Sequence, residues 1–150
     1  MELKIVVNDV TGIEDDKQAI RFAGERLLEC NYITPEYIEA CINRESNFPT
    51  GLLMENGNNI AIPHSDYNLV KENSISIVRF DKPIKFGQMD DPDLAVECKA
   101  LFNLAFATTD QHMSMLRKLF TLFQEDEFSN YCLTLDPEKT IEYINTKLFS

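Results

Sequence analysis

Several features that mark particular classes of protein are missing from this sequence of 150 residues. No apolar run approaches the roughly 20 residues that span a bilayer, so no direct membrane insertion is expected. Residues 1–9 have no basic segment followed by an apolar one, and no signal peptide is therefore expected. Without repeats or a linker, the length predicts a single domain, residues 1–150.

Metal-binding patterns are also absent. The four cysteines are widely separated, form no C-x-x-C pair and lie in apolar segments: Cys30, Cys41, Cys98 and Cys132. We interpret them as reduced, packed thiols of a cytoplasmic protein. Because H-x-x-x-H and H-E-x-x-H do not occur either, neither a metal ion nor a cofactor is predicted.

Basic residues are scarce, with 14 Lys and Arg against 25 Asp and Glu and a net charge of −11. Proteins that bind phosphate backbones carry basic stripes, so this composition argues against nucleic acid as a partner. Two explanations for the acidity stay open: solubility alone, or steering toward a basic protein surface.

The common catalytic motifs are missing as well. There is no G-x-S-x-G nucleophile elbow, no P-loop and no G-x-G-x-x-G. These absences argue against a hydrolase with such an elbow and against a nucleotide-binding cradle.

Apolar patterning predicts alternating strands and helices. Strands are expected over residues 4–7, 74–80 and 100–107, with a short one from residue 60, and helices should begin near residues 15, 34, 111, 125 and 136. Thr34 is expected to cap the second helix, and long loops are expected at 50–59 and 82–93. The fold class predicted is α/β or mixed α+β, with helices on both faces of a small sheet.

The stretch 60–66 contains the first candidate reactive group. Pro63 cannot donate to a sheet ladder and holds Ile62 extended, so a buried strand should end with His64 at its tip. Strand ends are where binding and chemistry collect in open α/β sheets. A loop histidine that merely follows a strand is the alternative.

Two further residues are candidates for the same site. His112 is expected in the first turn of a helix, where N–H groups and the helix dipole suit an anion and favour neutral imidazole. A core-edge histidine bonded to the backbone is the alternative. Arg44, at the end of a predicted helix, could hold a phosphoryl group in a bidentate fork or form a surface ion pair. Together these residues suit phosphoryl acceptance on imidazole.

Four motifs then occur in an order that is similar to one protein family: Arg44-Glu45, Phe48-Pro49-Thr50-Gly51-Leu52, Ile60-Ala61-Ile62-Pro63-His64, and His112 followed by Leu116 and Leu119. Over roughly residues 10 to 148, the chain resembles the enzyme IIA component (EIIA) of the bacterial phosphoenolpyruvate-dependent sugar phosphotransferase system, of the fructose–mannitol type.

The resemblance implies a small mixed, mostly parallel sheet in a single EIIA type-2 domain. It implies that His64 is the phosphorylated nucleophile, that His112 supports it and that Arg44 balances phosphate charge. Phosphate would arrive from the phosphocarrier protein HPr and leave to a cysteine of enzyme IIB, with the membrane component IIC binding the sugar downstream.

Two segments, 48–55 and 86–93, resemble the galactitol-type branch, so the transported sugar or polyol is expected to be galactitol-like. Two alternatives to sugar uptake stay open. One is a regulatory protein of this fold whose phosphorylation state controls a protein partner, and the other is a small-molecule binding domain.

Overall fold

The computed structural model describes residues 3–149, except for the side chains of Gln111 and His112. Along this part of the chain the elements are β1 (Lys4–Val10), α1 (Asp16–Glu29), α2 (Glu36–Asn47), β2 (Gly51–Leu52), β3 (Ile60–Ala61), a 3-10 turn (Tyr67–Leu69), β4 (Ser74–Gly87), β5 (Ala95–Ala105), α3 (Thr109–Phe123), α4 (Asp126–Thr134) and α5 (Pro137–Phe149).

The first two helices differ in how they begin. Helix α1 begins near residue 15, as predicted, and the Asp15 carboxylate caps it by accepting a hydrogen bond from the Gln18 N–H at 2.8 Å. The prediction of Thr34 as the cap of α2 is wrong by one residue, because Pro35 occupies that position and no side chain caps the helix. The proline ring already fixes Pro35 at a helical φ of −56°, so the chain turns before the regular helix begins.

The sheet has five strands in the order β1-β4-β5-β3-β2, and it is mixed, as predicted. Pairs β1–β4 and β3–β5 are parallel, whereas β4–β5 and β2–β3 are antiparallel. The expected majority of parallel pairings is therefore wrong. A short connection joins β4 directly to β5, and such a hairpin can only produce an antiparallel pair.

Three predicted boundaries also change. The loop expected at 82–93 shrinks, because β4 continues past Pro83 through an irregularity between Arg79 and Ile84, where a residue without an N–H is tolerated. The loop expected at 50–59 contains β2. The strand that leads to His64 ends at Ala61, and the backbone from Ile62 onward is held by other bonds.

Apolar side chains fill the space on both faces of the sheet. Phe102 and Leu104 of β5 face the cluster formed with α3, α4 and α5, whereas Leu101 and Ala105 face the cluster formed with α1 and α2. This alternation places β5 at the centre of the molecule, covered on both sides, as its continuous apolar sequence predicts. The end of β5 therefore offers a rigid base for the segment that carries His64.

Candidate functional site

The backbone before His64 is fastened to two neighbours. The Pro63 carbonyl accepts hydrogen bonds from the Leu104 N–H and from the Asn103 side-chain amide, both at 3.0 Å. The Ile62 N–H points the other way and lies 3.2 Å from both the carbonyl oxygen and the hydroxyl oxygen of Thr50. Because Pro63 supplies no N–H of its own, these neighbours define the path that places His64 at the surface.

The His64 ring is half-buried, and its Nδ1 lies 2.9 Å from the Ile62 carbonyl oxygen. A carbonyl only accepts hydrogen bonds, so this contact requires the proton to be on Nδ1. In the neutral ring the lone pair then lies on Nε2. Burial lowers the pKa of His64 below its ordinary value, and the Arg44 charge lowers this pKa further, while the bond to Ile62 opposes the shift. The neutral, nucleophilic form is therefore favoured near pH 7.

Tyr37 of α2 holds the chain immediately after His64. Its buried hydroxyl donates to the Leu104 carbonyl at 2.6 Å and accepts from the Ser65 N–H at 3.2 Å. One side chain thus joins α2, β5 and the segment that carries His64. Sequence reasoning assigned Tyr37 only to a helix, since nothing in a helical pattern reveals a bond to a strand 67 residues away.

The two residues of the Arg44-Glu45 pair point in different directions. Arg44 is exposed, and its guanidinium lies 5.3 Å from the centre of the Phe48 ring, a cation–π distance. Glu45 is buried, and its carboxylate accepts from the Thr50 N–H at 2.8 Å and from the Thr50 hydroxyl at 2.9 Å. Glu45 and Thr50 both belong to the motifs quoted for the family resemblance, but the spacing between them does not predict that they contact each other.

An open cavity of about 280 Å³ brings two of the three predicted site residues together, and it is lined by Arg44, His64, Ser65, Asp66, Tyr67, Phe106, Thr109 and Met113. Arg44 and His64 therefore share one cavity, as their predicted roles require. Thr109 is the first residue of α3, so the positive end of that helix dipole meets the same space.

The second predicted histidine, His112, belongs to the first turns of α3, as expected, between the cavity-lining Thr109 and Met113. Its side chain lies outside the described residues, and its supporting role stays a prediction. Among the residues described, no group of three or more His, Cys, Asp or Glu side chains could hold a metal ion. In residues 3–149 no helix is both long and apolar enough to cross a membrane.

The mixed sheet, the imidazole after its short strand and the arginine beside it define a class of small α/β protein that presents a histidine to an open cavity. The chain matches, over residues 4–147, the family described as phosphoenolpyruvate-dependent sugar phosphotransferase system, EIIA 2. It belongs to this family of phosphotransferase components, and the resemblance drawn from its motifs is confirmed.

Three relatives illustrate the match. The mannitol-specific phosphotransferase enzyme IIA component of Enterococcus faecalis is 34% identical over 69% of this chain and 68% of its own length. The galactitol-specific EIIA component of Escherichia coli strain K12 is 29% identical over 86% of this chain and 85% of its own.

The third relative is a solved structure, the complex of mannitol enzyme IIA and phosphorylated mannitol enzyme IIB from Escherichia coli. It superimposes with a TM-score of 0.68 at 21% identity, and covers 91% of this chain and 88% of that one. At this level of identity the likeness shows the fold.

Proposed function

We propose that His64 accepts a phosphoryl group from phosphorylated HPr and passes it to a cysteine of an enzyme IIB component. The observation that supports this best is the Nδ1 contact with the Ile62 carbonyl, at 2.9 Å. This contact needs the proton on Nδ1 and therefore supports Nε2 as the nitrogen that bonds phosphorus. Family membership makes the chain an EIIA phosphotransferase, and Nε2 of His64 is the atom proposed to carry the phosphoryl group.

The two transfer steps use one lone pair. In acceptance, the Nε2 lone pair of neutral His64 forms a bond to phosphorus while the donor's P–N bond breaks and its electron pair returns to the donor imidazole. In donation, a thiolate of enzyme IIB attacks phosphorus, the P–Nε2 bond breaks and its electron pair stays on His64. Between the two steps the ring is positively charged, and the Ile62 carbonyl stabilises that charge through the Nδ1 proton.

Negative charge on the transferring phosphoryl oxygens requires positive groups on the same side of the ring. Arg44 lines the cavity beside His64 and is proposed to balance this charge, together with the amino end of α3. By resemblance, His112 is proposed to support the transfer from the same helix.

The chain is proposed to act in the cytoplasm, and the sugar itself is proposed to be bound downstream by the membrane component IIC. Relatives are named for mannitol and for galactitol. We propose that the transported compound is a galactitol-like polyol, because segments 48–55 and 86–93 resemble the galactitol-type branch. Transfer rates to purified galactitol-type and mannitol-type enzyme IIB, compared side by side, test that choice.

The central test is the intact mass of the chain after incubation with enzyme I, HPr and phosphoenolpyruvate. We expect a gain of one acid-labile phosphoryl group on His64, with Nε2 identified as its position by nitrogen chemical shifts. His64→Ala should gain nothing, whereas His112→Ala should be phosphorylated more slowly. No gain by the wild-type chain, with HPr phosphorylated in the same tube, would refute the proposal.

A further inference from the structure

The reactive ring is connected to a buried carboxylate through a continuous chain of hydrogen bonds. Glu45 accepts two bonds from Thr50, through the N–H at 2.8 Å and the hydroxyl at 2.9 Å. The Thr50 carbonyl and hydroxyl oxygens both face the Ile62 N–H at 3.2 Å. The Ile62 carbonyl in turn faces Nδ1 of His64 at 2.9 Å. The bonded residues lie in or next to three elements: Glu45 is in α2, Thr50 directly precedes β2 and Ile62 directly follows β3.

Because its members are buried, this series of hydrogen bonds can transmit an effect of Glu45 to His64. Glu45, Thr50 and Ile62 are 5%, 2% and 3% exposed, so water cannot replace a bond that is lost among them. Donation of the Thr50 hydroxyl proton to Glu45 turns that proton away from Ile62 and directs a lone pair of the hydroxyl oxygen toward the Ile62 N–H. The carboxylate thus fixes the hydroxyl orientation, the hydroxyl helps to fix Ile62, and Ile62 selects the proton position on His64.

We propose that Glu45 is a positioning residue for phosphoryl transfer, acting through Thr50 and Ile62 to keep the His64 proton on Nδ1 and the lone pair on Nε2. This inference rests on the proposed function of His64, and it adds a role for a buried residue that is not among those lining the cavity. Arg44, which precedes Glu45 in the sequence, acts through its charge at the rim of the cavity, whereas Glu45 acts through buried hydrogen bonds.

A pH dependence follows from the same contacts. Burial raises the pKa of Glu45 to about 7, the two Thr50 bonds lower this pKa, and the charges of Asp16 on α1 and Arg44 on α2 raise and lower it, respectively. The nearby thiols of Cys41 and Cys98 have pKa values raised to about 12 by burial, so both stay neutral over the range of interest.

Below pH 7, a protonated Glu45 can no longer accept both Thr50 bonds. The pKa of His64 is lowered from 6.5, so the ring is still neutral while Glu45 takes up its proton. The contribution of Glu45 should therefore be present above about pH 7 and be lost as the pH falls, before His64 itself becomes protonated.

The test compares Glu45→Gln with the wild type for phosphorylation by HPr at pH 6 and pH 8. We expect the variant to be slower at pH 8 by about tenfold, the change in rate that corresponds to one weakened hydrogen bond. At pH 6 the two rates should be nearly equal. Because the donor is the same in both reactions, its own pH dependence cancels in the ratio of the rates.

A matched control is Glu39→Gln, the same chemical change on the exposed side of α2, which should leave the ratio near one at both pH values. Thr50→Val should reproduce the effect of Glu45→Gln, and Thr50→Ser, which keeps the hydroxyl, should restore most of the rate. This pair of substitutions keeps the test decisive if Glu45→Gln does not fold.

The His64 tautomer, read from ring nitrogen shifts of unphosphorylated protein at pH 8, gives a second measurement that needs no transfer. We expect Nδ1–H in the wild type and a mixture of tautomers in Thr50→Val. A wild-type chain that is phosphorylated normally, with rate and tautomer unchanged in both Glu45→Gln and Thr50→Val, would overturn this inference alone. A wild-type chain that accepts no phosphate would instead overturn the proposed function.

Discussion

Arg44 is exposed to water at the rim of the cavity, so its value to the site lies in charge and not in packing. Arg44→Ala should slow phosphorylation by HPr about tenfold, less than the roughly 10²-fold cost of removing a buried oxyanion donor, because water screens an exposed charge. The same substitution should raise the pKa of His64, since the Arg44 charge lowers it. Proton NMR titration of His64 measures this shift.

Arg21→Ala, which removes an exposed arginine of α1 that pairs with Glu39, is the control for a general charge effect. Arg44→Lys should recover part of the rate, because it restores the charge without the planar fork. An unchanged His64 pKa in Arg44→Ala would show that the guanidinium does not act on the ring.

Individual site residues could be predicted where the residue type by itself indicates the chemistry. A histidine after a proline-stopped strand and an arginine before it could be proposed from residue type and order, and one cavity contains both. The positioning role of Glu45 could not, because a carboxylate beside an arginine looks like a surface pair until its burial is known. Residue type predicts the reacting groups better than the groups that orient them.

Among the elements, α2 carries three residues of the site region, Tyr37, Arg44 and Glu45. Its Tyr37 hydroxyl lies between the Leu104 carbonyl and the Ser65 N–H. Tyr37→Phe removes both bonds while keeping the ring, so it should lower the free energy of unfolding by about 1–2 kcal/mol, the cost of a lost buried hydrogen bond. Urea unfolding followed by circular dichroism measures the change.

Tyr131→Phe is the matched control, because the ring of this exposed tyrosine packs edge-on against Tyr143 and is retained in the variant. Its midpoint should not move. Equal midpoints for Tyr37→Phe and Tyr131→Phe would mean that the Tyr37 hydroxyl contributes nothing to holding α2 against β5.

Strands were harder to predict than helices, and the reasons are physical. Helix starts such as Asp15 are set by local capping, which is readable from a few residues. The extent of β4 depends on its pairing with β5, which compensates for Pro83 and gives Ile84 and Phe86 a buried face. The short strand β2 needs Gly51, where a Cβ atom would lie 2.5 Å from Val96 Cγ1, and that crowding arises only in the folded chain.

At the scale of the whole molecule, the fold class followed from alternating patterns, but strand order and direction did not. The continuous apolar sequence of β5 indicates that both faces of the sheet are buried, so helices on both sides could be expected. Pairing is decided by connections and by contacts between distant segments, as in the bond from Asn103 to Pro63. A single sequence does not encode those contacts as a local pattern.

Arg79 is an ion-pair centre that joins distant parts of the chain, away from the reacting ring. Its side chain is 7% exposed and pairs with Asp9 of β1 at 2.7 Å. The guanidinium also donates to the carbonyls of Cys132 and Leu135 and to the hydroxyl of Thr140. β1, β4 and the junction of α4 with α5 are therefore fixed by one residue.

Arg79→Met keeps the apolar part of this side chain and removes the donor to the buried Cys132 carbonyl and Thr140 hydroxyl, while the Leu135 carbonyl keeps its bond from Thr140. We expect the free energy of unfolding to fall by about 3 kcal/mol, since Asp9 stays hydrated while the interior acceptors do not. Arg79 lies five residues along β4 from Ser74, which pairs with the end of β5 near His64, a separation of about 17 Å. At temperatures well below melting, phosphorylation by HPr should therefore proceed at the wild-type rate.

Lys139→Met removes a charge of the same sign from an exposed position on α5, and it should change stability by less than about 0.5 kcal/mol. Thermal and urea unfolding, run beside the phosphorylation assay, separate the two properties. A slow but fully folded Arg79→Met would mean that the β1–β4 end of the sheet is coupled to the position of His64. Stability and transfer would then not be independent in this fold, and the rigid base that β5 offers would extend through the whole sheet.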